Sequence, residues 1–306
     1  REELGEPDAF LLNDGRGHFT PVSWTGGAFL DEDGRALTEP PFDWGLSVLF
    51  RDFNGDGRPD LYVCNDFATP DRFWLNQGQG RFRLAPRIAL RQTSLASMAA
   101  DAADLDRDGH DDLMVVEMLS REHSRRLTQR NVVQGETTAG TQIEGRPQYA
   151  RNTVFRNRGD GSYAEIAQFA GLEASEWSWG PLFIDVDLDG FEDLLVPNGF
   201  ERDNMNADVQ ARIHAAKAGR KMLTADELQL RRMFPRLDTA NLAFRNRGDL
   251  RFEEVGRQWG FDTPTISQGA CLADLDNDGD LEVIVNNLNA AAGVYRNETV
   301  APRLAV

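Results

Sequence analysis

One acid-rich twelve-residue pattern occurs four times in this chain, and few folds tolerate so many carboxylates at such close range. The copies begin at Asp52, Asp104, Asp185 and Asp274. Side-chain oxygens recur at positions 1, 3, 5 and 9: Asp52, Asn54, Asp56 and Asp60; Asp104, Asp106, Asp108 and Asp112; Asp185, Asp187, Asp189 and Asp193; Asp274, Asp276, Asp278 and Glu282. Like charges packed this closely repel one another, so a compact fold must leave them in water or place a cation among them. Calcium meets that demand, because it takes about six to eight oxygens at flexible geometry and accepts carboxylates, carbonyls and water together. Position 7 then offers a backbone carbonyl, from Arg58, His110, Phe191 and Asp280. Position 6 is Gly57, Gly109, Gly190 or Gly279, where the sharp turn needs a residue without a β-carbon. The expectation is up to four structural calcium ions. The alternative, four acidic turns that bind nothing, leaves the shared spacing unexplained.

The end of each loop separates it from an EF-hand. There, position 12 is a bidentate Glu leading into a helix. Here it is Val63, Val115, Val196 or Val285, inside the short apolar runs Leu61 to Cys64, Leu113 to Val116, Leu194 to Val196 and Val283 to Val285. Runs of this length and β-branched content predict strands.

A second motif alternates with the first. Its copies run from Phe10 to Phe19, Phe73 to Phe82, Val154 to Tyr163 and Leu242 to Phe252, with a shortened one at Val294 to Asn297. In each, an Asn with one or two glycines between alternating apolar residues predicts a hairpin. A third segment leads into each acidic loop: Leu46 to Phe50, Met98 to Ala103, Pro181 to Ile184 and Ala270 to Ala273. One period is therefore strand, acidic loop, strand and hairpin, which amounts to four strands and the content of a propeller blade. The predicted fold is all-β, a propeller of four-stranded blades forming a single domain over 1–306.

The later spacings between loops exceed the first by about 30 to 40 residues, which predicts insertions at about 117–150 and 200–240. In the second, Ala207 to Gly219 and Ala225 to Phe234 read as helices, with Thr224 and Glu227 spaced as a capping box. The first carries Arg121, Arg125, Arg126 and Arg130, then a Gly/Thr-rich stretch from Gly135 to Gly145. Both interruptions fall at corresponding points of successive blades, so both are expected on one face. Without them, about four to five blades remain, the expected content of a fragment of a seven-bladed ring.

Composition narrows the partners. A net charge of -17 argues against nucleic acid and anionic membranes, and 41% hydrophobic residues over 306 suffice for a core. Much of the acidity sits at ligand positions, so it marks metal sites more than partners. No run of about 18 apolar residues spans a membrane, and no stretch reads as a signal peptide. Only Cys64 and Cys271 occur, each in a predicted strand, so both are expected as buried free thiols. Loops with so few side-chain ligands fill where calcium is millimolar, which points to an extracellular, cell-surface or periplasmic setting.

These residues resemble the FG-GAP/VCBS repeats of integrin-α-type propellers. More narrowly, the chain is similar to the cartilage acidic protein family. That likeness rests on Asn152 to Gly161, on Trp177 to Gly190, on Asn198-Gly199, on Trp259-Gly260, and on Ala273 to Glu282 with Asn286-Asn287. It implies a secreted or surface-exposed, calcium-stabilised module for adhesion or recognition, with an ASPIC and UnbV-type domain beyond Val306. Asn54 departs from Asp at position 3 and should weaken the first site. Glu282 replaces Asp at position 9 of the fourth.

Two functions compete on this reading. In the first, calcium is structural and the inserted face binds a protein or glycan. In the second, the chain is a carbohydrate-active enzyme of polysaccharide lyase or sugar dehydratase type, with His123 and His214 meeting on the inserted face and Arg125 or Arg126 neutralising a uronate. His18 and His110 lie in a turn and an acidic loop, which suits neither role. The six tryptophans stand in or beside strand motifs, so packing is expected of them before glycan stacking.

Overall fold

A computed structural model describes residues 5–67, 69–129, 146–218 and 224–300. Four small antiparallel sheets follow one another as blades of a propeller. From first to last strand, blade one is Gly45–Arg51, Asp60–Asn65, Arg72–Gly78 and Arg81–Leu84. Blade two is Ala99–Ala103, Asp112–Val116, Thr153–Asn157 and Tyr163–Glu165. Blade three is Leu182–Ile184, Asp193–Val196, Leu242–Asn246 and Phe252–Glu254. Blade four has three strands among the described residues: Ser267–Ala273, Glu282–Asn287 and Gly293–Tyr295. The first strands of consecutive blades lie against each other at blades one and two and again at two and three.

The strand after each acidic loop reads as a continuous apolar run because both of its faces are covered. Cys64 and Val115 pack between blades one and two with Phe73 and Phe155. On the opposite face of the same strand in blade two, Met114 and Val116 enter the next interface, with Leu194, Val196 and Phe244. Leu195, Ala243 and Val285 repeat this between blades three and four. Burial of this kind is worth about 1.5–3 kcal/mol per large side chain, so it makes the interfaces the main source of cohesion.

The first hairpin departs from expectation. Leu11–Asn13 and Phe19–Pro21 form their own two-stranded sheet and join no blade. Aromatic packing explains this: Phe10 and Trp24 contact Phe29, and the cluster continues to Trp74 and Phe82 of blade one. Phe29–Leu30 then extends that blade as a fifth strand, parallel to Arg81–Leu84. The segment 10–30 thus covers the outer edge of blade one.

Cysteine burial is a second correction. Cys64 is buried, whereas Cys271 is exposed, and both are free. The strand of Cys271 turns Leu272 and Ala270 towards blade three, and no described residue covers its other face at Cys271. Blade one shows the same condition, with Leu46, Val48 and Phe50 exposed on alternate positions of its first strand.

The insertions meet each other. Gln129 bridges to Asn206, and Thr128 O accepts from Ala207 N at 2.8 Å. In the second insertion Ala207–Lys217 and Thr224–Arg231 are helices, linked by Lys217 to Glu227 at 3.2 Å. Asn206 caps the first of them by accepting from Val209 N. The first insertion begins with a short helix, His123–Arg126, and ends with Gln148–Tyr149, which runs parallel to Thr93–Ser94. Gln148 is fully buried there, and its amide donates to Phe67 O and Thr69 O at 3.1 Å. The stretch from Gly135 to Gly145 and Arg130 lie outside the described residues.

Candidate metal centre

Each acidic loop is built by its own carboxylates folding back on its own amides. At position 1, Asp104 accepts from Asp108 N and Gly109 N at 3.0 and 2.8 Å, Asp185 from Asp189 N and Gly190 N at 3.0 and 2.8 Å, and Asp52 from Asp56 N and Gly57 N at 3.1 and 2.7 Å. The glycine at position 6 has φ between 79° and 91° in all four loops, the left-handed region where a side chain is strained. Position 4 shares that conformation. Gly55 stands there in the first loop, but Arg107, Leu188 and Asn277 occupy it elsewhere, at φ 55° to 60°. Residue type does not signal this cost, because three of the four loops carry a side chain at that position.

Position 9 closes the loop onto the blade. Asp60 accepts from Phe53 N and Asn76 N, Asp112 from Leu105 N and Asn157 N, and Asp193 from Val186 N and Asn246 N, at 2.7–3.2 Å. Glu282 accepts from Leu275 N at 2.8 Å. These carboxylates are buried, and burial pushes Asp60 up to about 6 and Asp112 and Asp193 to about 7 despite the amide hydrogen bonds.

The hairpin asparagine staples one blade to the one before. Asn157 donates to Phe53 O at 2.9 Å, Asn246 to Leu105 O at 3.0 Å and Asn297 to Val186 O at 3.0 Å. Each acceptor is position 2 of the preceding acidic loop.

The side chains that converge differ from loop to loop. Ligand oxygens lie within 4.8 Å of one another for Asp104, Asp106 and Asp108, for Asp185, Asp187 and Asp193, and for Asp274, Asp276 and Glu282. A further group joins Asp276 and Asp278 to Asp280, so position 7 of the fourth loop brings a carboxylate as well as the backbone carbonyl expected of it. Among the described residues, the first loop, with Asp52, Asn54, Asp56 and Asp60, forms no such group of acids.

The donor set fits a hard divalent cation. Asp106 Oδ1, Asp187 Oδ1 and Glu282 Oε1 are buried oxygens with no hydrogen-bond partner, an arrangement that is costly unless a cation takes the lone pairs. At position 7, the His110 ring lies against Gly159, where a Cβ would come within 2.4 Å of Nε2. Phe191 carries Arg107 over its face at 4.3 Å. Arg58 pairs with Asp56 and donates to Asn76 O at 3.1 Å.

An arginine from the hairpin reaches into three of the loops. Arg156 meets Asp106 at 2.6 Å and Asp108 at 3.1 Å, Arg245 meets Asp187 at 2.6 Å and Asp189 at 3.5 Å, and Arg296 meets Asp276 at 2.6 Å and Asp278 at 3.7 Å. Blade one has Leu75 at the matching place, directly before Asn76.

An open cavity of about 960 Å³ lies on the inserted face. All four blades and the second insertion line it, through Phe67, Met98, Trp179, Ile266 and Leu228 among others. Phe200 stacks on Trp177 at 4.2 Å, with Trp179 at 6.2 Å. The arginines of the enzyme constellation are paired with acids. Arg125 is taken by Glu176 at 2.7 Å and Arg126 lies 3.6 Å from Glu173, and no hydrogen bond or ion pair joins His123 to His214 among the described residues. No described helix is long and apolar enough to cross a membrane.

Comparison with known proteins agrees with this architecture. No curated protein matches the chain. A solved structure describing specific recognition of non-reducing terminal N-acetylglucosamine by an Agrocybe aegerita lectin is 14% identical, over 96% of this chain and 75% of that one, with a TM-score of 0.33. That likeness is too distant to carry an argument. A model of the FG-GAP-like repeat matches residues 52–115, 143–196 and 235–285. These segments hold all four acidic loops and more than half of the chain, and the protein belongs to the FG-GAP-like repeat family.

Proposed function

We propose that this propeller is a recognition module whose ligand site is the cavity beneath the second insertion and whose acidic loops hold calcium as structure. The cavity carries the reading. Leu46, Phe67, Leu228 and Leu288 are exposed apolar side chains from three separate parts of the fold, and all four line it. A concave, mostly apolar site with a few polar groups suits a ligand. Its methionines and leucines favour an apolar segment of a partner protein over a glycan, because the faces of Phe200 and Trp177 already stack on each other.

Calcium follows from the all-oxygen donor set, and weak four-side-chain loops suit a calcium-rich setting outside the cytoplasm. The motifs around Trp177 to Gly190 support the narrower kinship with the cartilage acidic protein family.

Binding of leucine- and phenylalanine-rich peptides on an array, followed by titration in solution, tests the site. Trp179→Ala and Leu228→Asp should each abolish binding while leaving the calcium-dependent rise in Tm intact. Peptide binding that survives both substitutions would place the ligand elsewhere, and binding to a glycan array alone would change the partner class.

A further inference from the structure

The arginines and the third-position residues of the loops vary together. Where position 3 is Asp106, Asp187 or Asp276, the hairpin supplies Arg156, Arg245 or Arg296 to it, each at 2.6 Å. Where position 3 is the neutral Asn54, the hairpin supplies Leu75. The loop with the neutral position 3 has no hairpin arginine, and its arginine comes instead from its own position 7, where Arg58 pairs with Asp56.

Charge counting gives the pairing a meaning. Carboxylates outnumber the arginine that meets them by three to one in the first loop, where Arg58 pairs with Asp56, and by four to one in the second and third, where Arg156 and Arg245 reach in. The arginines contact Oδ2 of Asp106 and Asp187 and leave Oδ1 to a cation, so arginine and cation would share one carboxylate charge through different oxygens. The guanidinium is delocalised, weakly hydrated and always charged, so it can stand beside carboxylates in a solvated loop where a second divalent ion could not. Desolvation by the blade surface makes the uncompensated alternative costly.

We propose that Arg156, Arg245 and Arg296 are resident counter-cations of loops two, three and four: they hold these loops assembled when metal is scarce and lower their affinity for it when it is present. This rests on the reading of the loops as cation sites, and it departs from the simpler view that the arginines orient ligands for the metal. The two views differ in sign. An orienting arginine improves metal affinity, so its removal weakens binding. A counter-cation competes with the metal, so its removal strengthens binding and destabilises the metal-free fold.

The test measures Tm in chelator and calcium affinity by calorimetry for the wild type, Arg156→Ala, Arg245→Ala and the conservative Arg156→Lys. Each alanine variant should melt several degrees lower in chelator. Its loop should bind calcium tighter by a factor on the order of ten, the scale of one charge acting on a divalent ion across a solvated loop. Arg156→Lys should fall between, since it keeps the charge and loses the fork. In blade one, Asn54→Asp should lower Tm in chelator, and adding Leu75→Arg should restore it. This pair reads out even if an alanine variant fails to fold. Weaker calcium binding by the alanine variants, an unchanged Tm in chelator, or no rescue by Leu75→Arg would each overturn the proposal. A wild type with no calcium response at all would instead overturn the cation reading beneath it.

Discussion

The acidic loop of blade one and that of blade two share a skeleton and differ in charge. In both, the position 1 carboxylate takes the amides of positions 5 and 6, and the buried position 9 carboxylate takes the amides of position 2 and the hairpin asparagine. Around this skeleton the first loop has Asn54, Gly55 and Leu75, where the second has Asp106, Arg107 and Arg156. A few amide contacts therefore carry the loop's shape, while the carboxylates at positions 3 and 5 can be traded against neighbouring charge.

The same contrast extends to a buried site at the far end of the strands that follow the loops. Asp71 of blade one occupies the place of Asn152 and Asn241 in blades two and three, and all three accept the amide at the end of the preceding strand. Those amides are Asn65 N at 2.8 Å, Glu117 N at 2.7 Å and Asn198 N at 2.9 Å. Tyr62 and Ser97 also donate to Asp71, at 2.6 and 2.8 Å. Burial still pushes its carboxyl up to about 6.

The largest expected effect concerns what the loops share. Asp60→Ala and Asp193→Ala should each cost about 3–5 kcal/mol, because each strands two amides. Denaturant unfolding in chelator should show losses of similar size in both blades. A much smaller loss in one would break the idea of a common skeleton.

Next comes the buried carboxyl. Its folded pKa lies above the ordinary 3.8, so the native state binds the extra proton between about 4 and 6. Stability on its account is highest in acid and falls by about 3 kcal/mol as pH rises through that window. Asp71→Asn should remove this fall, seen as a flatter difference in unfolding free energy between pH 4 and pH 7 relative to wild type.

Calcium in millimolar excess should raise stability by about 2–3 kcal/mol, with magnesium giving less. Asp187→Ala with Asp189→Ala should remove more of the gain than Asp52→Ala does, since the first loop gathers the fewest acids. Differential scanning calorimetry would show it. Equal losses would mean that the charge layer is irrelevant to binding.

The smallest effect separates the asparagines. Asn157→Ala removes donation to both Phe53 O and Asp111 O, whereas among the described residues Asn76 donates to Pro59 O in its own loop alone. The former should cost about 1–2 kcal/mol, roughly twice the latter, by thermal unfolding.

The repeat, the strands beside each loop and the hairpins are legible in the sequence because they obey local rules: glycine at the turn, β-branched runs, and apolar alternation. The acidic positions are legible as a set, yet their division of labour is not. Nothing in the spacing says that Asp112 is bound by amides from Leu105 and Asn157, because one of those amides lies 45 residues away. The arginines are hidden for the same reason, since Arg156 meets Asp106 only after the strands pair. Cys271 and the first hairpin depart from expectation because their burial depends on which element covers a sheet face. The cavity joins four blades and an insertion, so no single segment announces it.

The asparagine staples have a bearing on how the blades are put together. Loop-to-hairpin contacts within a blade span 16 residues in blade one, 45 in blade two and 53 in blade three, whereas the staples reach back 104, 141 and 111 residues. Short contacts form before long ones because they close smaller loops. Each blade can therefore close on itself as it leaves the ribosome and then be pinned to its predecessor, so assembly can follow the order of synthesis.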